Sequence, residues 1–270
     1  MPAHSSRQPF GSHLKFNLSE YAASKVEGMK ALLTVLNFLP AVDWLALLVF
    51  FVGWIGYAAF AKRQSQFEGT LLAATNRERR RWMLQTTYRE VRVIDGVVVQ
   101  NLSTSPSFFA STTILIIGGL LASLGASEKA TELVHELPFA ARTSNLVFDL
   151  KLVLLIGIFV YAFFRFTWSM RQYTFGALLV AAAPSSEAFI EQNLSREDFA
   201  DRAGRLMGMA AETFNDGLRA YYLAFAAIAW FFSPWAFMAG TLGVLFVLYQ
   251  REFRSDVLAV LQSDEPRSQK

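Results

Sequence analysis

Long stretches of nearly uninterrupted apolar sequence constrain this chain more than any other feature. About 20 helical residues cross the roughly 30 Å of hydrocarbon in a bilayer. Residues 41–61 contain LALLVFFVGWIGYAAF, residues 108–126 read FFASTTILIIGGLLASLGA, and residues 146–164 form a third such run. A fourth run, residues 220–249, has 30 residues, too many for one ordinary span. Hydrophobic residues make up 53% of the 270-residue chain and charged residues 17%. A soluble domain carries about 25% charged residues. A single soluble globule could not hide this much apolar surface, and a disordered chain would be polar. The natural solvent for such a chain is a bilayer.

The polar segments set an expected orientation. Residues 62–104 carry eight basic side chains, Lys62, Arg63, Arg77, Arg79, Arg80, Arg81, Arg89 and Arg92, which marks them as cytoplasmic. Residues 127–145 hold only Lys129 and Arg142 against Glu128, Glu132 and Glu136, which marks the outer side. Ser233-Pro234 breaks the last apolar run. Trp230 and Trp235 flank the break, while Tyr221, Tyr222 and Tyr249 sit at the two ends beside Arg219, Arg251 and Arg254. A hairpin puts these aromatics at interfaces and both ends inside.

The expected fold is therefore all-α. It is a polytopic helical membrane protein with about five membrane-crossing helices, the last two a Pro-broken hairpin, and with cytoplasmic helical extensions. The N-terminus lies outside and the C-terminus inside, in a bacterial inner or plasma membrane. Four spans, the last long and tilted, is the alternative. Residues 1–40 form a lead with an amphipathic interfacial helix from Ser19 to Asn37. No apolar h-region near the start suggests a secretory signal. Residues 41–260 form the helical membrane domain, including cytoplasmic segments 62–107 and 165–219, and residues 261–270 a polar tail. A helix is expected over residues 68–88, and residues 97–99 stay open between helix and strand. Ser105-Pro106 predicts a helix start for the second span. Ser195, with Asp198 three residues on, predicts a capping box.

Several strings carry a family resemblance: RRRWM (79–83), SFFASTTILIIGGLLASLGA (107–126), DLKLVLLIGIFVYAFFRFTWSMRQY (149–173), GLRAYYLAFAAIAWFFSPWAFMAG (217–240) and LYQREFRSD (248–256). Together they resemble the bacterial and plant membrane proteins known as domain of unknown function 599. The resemblance covers roughly residues 41–260. It implies a polytopic integral membrane protein and brings no activity, ligand or catalytic residue with it.

Charged groups at membrane depth are costly, so they are the first functional suspects. Asp43, Asp149 and Lys151 form a candidate outer polar cluster. Asp149 and Lys151 are two residues apart and must find partners on neighbouring helices. Arg165 and Arg219 sit at inner ends. Ser111, Thr112 and Thr113 could line a path or bond back to their own helix. Gly53, Gly56, Gly118, Gly119 and Ser123 are candidate helix-packing positions, since small residues let helices approach closely. Arg77, Arg79, Arg80, Arg81 and Trp82 form a candidate site for anionic headgroups.

Catalytic signatures are missing from the sequence: no Gly-rich phosphate loop, no HExxH, no Gly-x-Ser-x-Gly. With no cysteine and only His4, His13 and His135, no metal site or cofactor is expected. Nucleic-acid binding is not expected either, because no fold motif accompanies the basic block. The expected role is non-enzymatic, an oligomeric channel or passive transporter. The alternative is a membrane scaffold or accessory subunit that docks a partner through cytoplasmic helices, and a weaker one is a lipid-acting membrane enzyme. The expected partners are the bilayer, anionic headgroups, and further copies or a membrane partner protein.

Overall fold

A computed structural model describes residues 39–64, 69–126 and 144–263. Among these residues all regular structure is helical and there is no strand. The expected helix at residues 19–37, most of the loop 127–145 and most of the tail 261–270 lie outside the described residues. The chain divides into two units, residues 1–44 and 45–270.

Three helices are long and apolar enough to cross a membrane: α1 (Ala41–Gln64), α3 (Val93–Gly125) and α4 (Asn145–Ala181). Between the first two lies α2 (Leu71–Thr86). After α4 come α5 (Ser186–Glu191), α6 (Arg196–Ala229), α7 (Pro234–Phe253) and α8 (Asp256–Ser263). Hydroxyl caps start five of them. Thr70, Ser144, Ser185, Ser195 and Ser233 each accept a backbone N–H from the first turn, satisfying donors that a helix start leaves orphaned. The Ser195 cap takes the N–H of Asp198 at 3.0 Å, as its sequence predicts.

The expected start of the second span at Ser105-Pro106 is overturned. Residues 97–99 are helical, α3 begins at Val93, and Pro106 lies buried inside it. Val99, Pro106, Ala110 and Thr113 fall on one buried stripe, and α3 packs along α4. Proline removes one helical hydrogen bond, but burial of that stripe carries the helix through.

Polar and apolar sequence separate along the long helices. In the polar half, Met83 of α2, Val99 of α3, Tyr173 and Val180 of α4, Phe189 of α5 and Met207 of α6 share one core. Two arginines strap its end. Arg92 donates to the carbonyls of Ala183, at 2.6 Å, and Pro184. Arg196 donates to the carbonyls of Ser186, at 2.8 Å, and Thr87, and lies over the Tyr88 ring at 4.3 Å. In the apolar half, α6 and α7 form the hairpin that Ser233-Pro234 predicts. Trp230 stacks on Phe237 across the turn at 5.3 Å. At the far end of α7, Glu252 accepts the Leu72 N–H at 3.1 Å and so supports the start of α2.

Candidate functional site

Three helical stripes face one another where the two halves meet. On α1 they are Trp54, Ile55, Ala58, Ala59 and Lys62; on α4, Tyr161, Arg165, Trp168 and Gln172; on α6, Glu212, Thr213, Asp216 and Arg219. Within each set residues recur three or four apart, with Trp54–Ile55, Ala58–Ala59 and Glu212–Thr213 as adjacent pairs, a pattern that keeps each set to one side of its helix. Between them lies a cavity of about 720 Å³, within the range of small-molecule sites, about 300–1,000 Å³.

The walls differ in chemistry. The α1 wall is apolar down to Lys62. Opposite it, Asp216 accepts from two guanidinium groups, Arg165 from α4 and Arg219 at 2.9 Å from its own helix. Arg219 also lies over the Tyr57 ring at 5.7 Å, and Trp54 meets Tyr161 edge-on at 5.4 Å. Two polar atoms in this wall are buried without a partner, Arg165 Nε and Gln172 Oε1. Gln172 is only 4% exposed. Buried polar atoms in folded proteins are nearly always bonded, so these two stand out among the residues of the wall. The site can hold a molecule that is apolar on one side and polar on the other. Among the described residues no three His, Asp or Glu side chains converge as a metal site requires.

The family model described as Protein of unknown function, DUF599, matches residues 45–257. This chain belongs to that family. No curated protein and no solved structure matches the chain. All the cavity residues fall inside the DUF599 match, whereas Asp43 lies outside it.

In this DUF599 chain Asp149 and Lys151 meet different surroundings. Lys151, 2% exposed, donates to the Trp230 carbonyl at 2.9 Å and lies over the Trp230 ring at 5.4 Å. It fastens α4 to the turn of the hairpin. Asp149 is half-buried, with Oδ1 buried and unpartnered. Asp43 belongs to the unit 1–44, where it is buried and its N–H donates to the Pro40 carbonyl at 2.9 Å.

The arginine block does not share one face, because successive helical residues point about 100° apart. Arg79 turns inward and donates to Thr75 Oγ1 at 2.9 Å and Asn76 Oδ1 at 2.8 Å. Burial draws its pKa below the ordinary arginine value. Arg80 pairs with Asp201 of α6, and Arg81 with Glu78 at 2.7 Å. Trp82 donates to the buried carboxylate of Asp95 at 2.7 Å. Arg77 lies on the surface between α2 and α6.

The small-residue expectation holds only at Gly53, where a Cβ would lie 2.8 Å from Leu245 of α7. Gly56, Gly118 and Gly119 meet nothing within 4 Å, and Ser123 bonds back to the Gly119 carbonyl at 3.0 Å. The close approaches lie elsewhere. A Cβ on Gly204 would come 2.9 Å from the Arg80 Cα, and one on Gly208 2.7 Å from Asn76 Oδ1. These two α6 positions, four residues apart, let α2 press against α6. Thr112 and Thr113 bond back to α3, and Thr113 also bonds the Tyr221 hydroxyl at 2.6 Å.

Asp216, Glu212 and Gln172 escaped the sequence reading. The signal that could have found them is register: Asp216 and Glu212 repeat with the apolar face of α6, and Gln172 continues the stripe of Tyr161, Arg165 and Trp168.

Proposed function

We propose that this DUF599 protein is a non-enzymatic, five-crossing membrane protein that holds a membrane amphiphile in the cavity between α1, α4 and α6. The observation that carries the reading is the opposition of an apolar α1 wall to the Arg165–Asp216–Arg219 network with its unpartnered atoms. An amphiphile entering from the inner leaflet would present its tail to α1 and its head to α4 and α6. Native mass spectrometry of protein gently extracted from its own membrane tests this. Retained lipid that is lost in Arg165→Gln supports it; a lipid-free wild type sinks it.

The same proposal places the hairpin arms across the membrane, with residues 62–107 and 165–219 and the C-terminus in the cytoplasm. The 20 residues of α7 extend about 30 Å, enough for one crossing. The native chain has no cysteine, so an Asp256→Cys variant can be probed with a membrane-impermeant thiol reagent. No external labelling in intact cells is expected, and strong labelling would remove the hairpin.

Two observations favour assembly beyond one chain. A Cβ on Gly118 or Gly119 of α3 would meet nothing within 4 Å among the described residues, as expected of a surface that packs against another copy in an oligomeric channel. At the end of the polar half, Val91, Val93, Ile94 and Ile190 are exposed, as expected of a scaffold that docks a partner. The same mass spectra separate these: a closed homo-oligomer favours the first, a stoichiometric foreign chain the second.

A further inference from the structure

We infer that the groove between α4 and α6 in the polar half docks an acidic amphipathic helix of a partner protein. This rests on the placement of residues 165–219 outside the hydrocarbon, proposed above, and does not depend on the amphiphile. The 37 residues of α4 extend about 55 Å, and a bilayer core takes up about 30 Å of that. Past Arg165 the outward face of α4 meets water, yet Trp168, Arg171, Phe175 and Leu178 recur there three or four residues apart on one exposed stripe. Leu178 is 61% and Trp168 51% exposed, more than a helix covered by its own bundle leaves open. On α6, Ser169 Oγ of α4 donates to the Ala210 carbonyl at 2.7 Å, and Gly176 abuts Met207, which fixes the two helices side by side. Leu179 then faces Arg202, Leu206 and Met209 across a groove of about 470 Å³. Met209 lines the α1–α4–α6 cavity together with Trp168, so the groove continues toward the membrane.

Charge on this face selects the occupant. Arg171, Arg202 and Arg205 make no ion pair among the described residues. Arg171 lies over the Phe175 ring at 5.8 Å and Arg202 over the Phe199 ring at 6.0 Å, contacts that hold each guanidinium against its own helix. Of the two carboxylates in the groove, Asp201 is taken by Arg80. Asp198 alone stands against the three arginines. The floor is therefore apolar and the rims are cationic. A second copy seated on this face would set arginine against arginine, an arrangement that costs free energy. Lipid headgroups meet the chain near Arg165, at one end of the groove and not along it. A helix with an apolar stripe flanked by Asp and Glu answers floor and rims together, the helix-in-groove mode of recognition. From Trp168 to Leu178 the stripe rises about 15 Å, which matches about three turns of a partner helix.

Photo-crosslinking of the full-length protein in its own membrane tests this. A benzophenone-bearing amino acid replaces Leu178, the membranes are irradiated, and the crosslinked peptide is sequenced by mass spectrometry. The expected adduct is to a second protein, at a segment whose apolar residues recur three or four apart between Asp and Glu. Arg171→Glu/Arg205→Glu should lower its yield at least about tenfold with thermal unfolding unchanged. Replacing the acidic residues of the captured segment by Lys should then restore it. Should the double variant be unstable, Arg171→Gln/Arg205→Gln makes the same test without adding negative charge. An adduct to a segment without acidic residues, or one whose yield ignores both arginines, would overturn the inference. An adduct to this chain's own sequence that migrates as a dimer would make a second copy the occupant and overturn it as well. Adducts to lipid chains alone would overturn both the docking and the placement of residues 165–219 outside the hydrocarbon. No adduct above the level of unirradiated membranes would overturn the docking and leave that placement standing.

Discussion

Met83 in α2 and Leu115 in α3 are both large apolar side chains, yet the first is fully buried and the second 76% exposed. They stand for two regions built on opposite rules. In the polar half, helices α2 to α6 bury their apolar faces against one another, with the buried Asp95 carboxylate held through one oxygen. In the apolar half, most apolar side chains turn away from the chain. Of the most apolar stretch, only 11% is buried in α3 and 17% in α1, against 39% in α4. An outward apolar face is what lipid contact requires. Apolarity in this sequence therefore marks solvent preference in one half and core position in the other.

The sharpest way to break this comparison is at Asp95. It is fully buried, and one of its oxygens takes the Trp82 indole N–H at 2.7 Å, the Thr86 hydroxyl at 3.1 Å and the Arg89 guanidinium. Asp95→Ala takes the acceptor from the half-buried Trp82 N–H, the Thr86 hydroxyl and the Arg89 guanidinium, and a loss of about 3 kcal/mol is expected. Thermal unfolding should shift by roughly 6–12 °C. Hydrogen exchange should rise in residues 71–107 and 173–210 while residues 108–122 stay protected. Equal loosening of both halves would show that they do not fold as regions with separate cores.

A smaller effect comes from adding one methyl group to glycine in each half. Gly204→Ala places a carbon 2.9 Å from the Arg80 Cα, and backbone cannot yield cheaply. The expected cost is about 1–3 kcal/mol. Gly118→Ala enters open space and should change stability by no more than about 0.5 kcal/mol. A large cost for Gly118→Ala, seen together with loss of a higher oligomer in native mass spectra, would mean that the α3 face is covered by a second copy.

These contrasts mark what was legible in the sequence. The helices were readable because period, caps and breakers act locally: Ser195 caps α6 and Ser233-Pro234 splits the hairpin as their residue types dictate. Pro106 misled because its local preference for a helix start is outweighed by a buried stripe on α3 that only tertiary packing reveals. Gly118-Gly119 drew attention as a small-residue patch, yet Gly204 and Gly208 do the packing, because closeness depends on what stands opposite. The cavity was half legible. Arg165 and Arg219 stood out as charges at membrane ends, but Asp216, which joins them, carries no local mark. Its partner lies 51 residues away, a distance that periodicity cannot see.

The smallest effect separates two residues that their charges and spacing group together. Lys151 and Asp149 lie two apart near the start of α4, but their surroundings differ. Lys151 donates to the Trp230 carbonyl at 2.9 Å at the hairpin turn, with the Trp230 and Phe231 rings beneath its ammonium. Lys151→Met keeps an unbranched apolar stem and removes the donor, leaving a helix-end carbonyl unanswered. About 1–2 kcal/mol should be lost from the bond and the cation–ring contact. Asp149 instead carries a buried oxygen with no partner. Asp149→Asn removes a charge that nothing in the described chain answers, so stability should move by less than about 0.5 kcal/mol. Thermal unfolding of the two variants in one detergent decides the matter. If Asp149→Asn costs as much as Lys151→Met, the carboxylate has a partner the geometry does not show, and the two residues act as one polar site after all. If only Lys151→Met loses stability, the ammonium serves to hold the hairpin to α4, and the apolar half owes part of its order to a single buried cation.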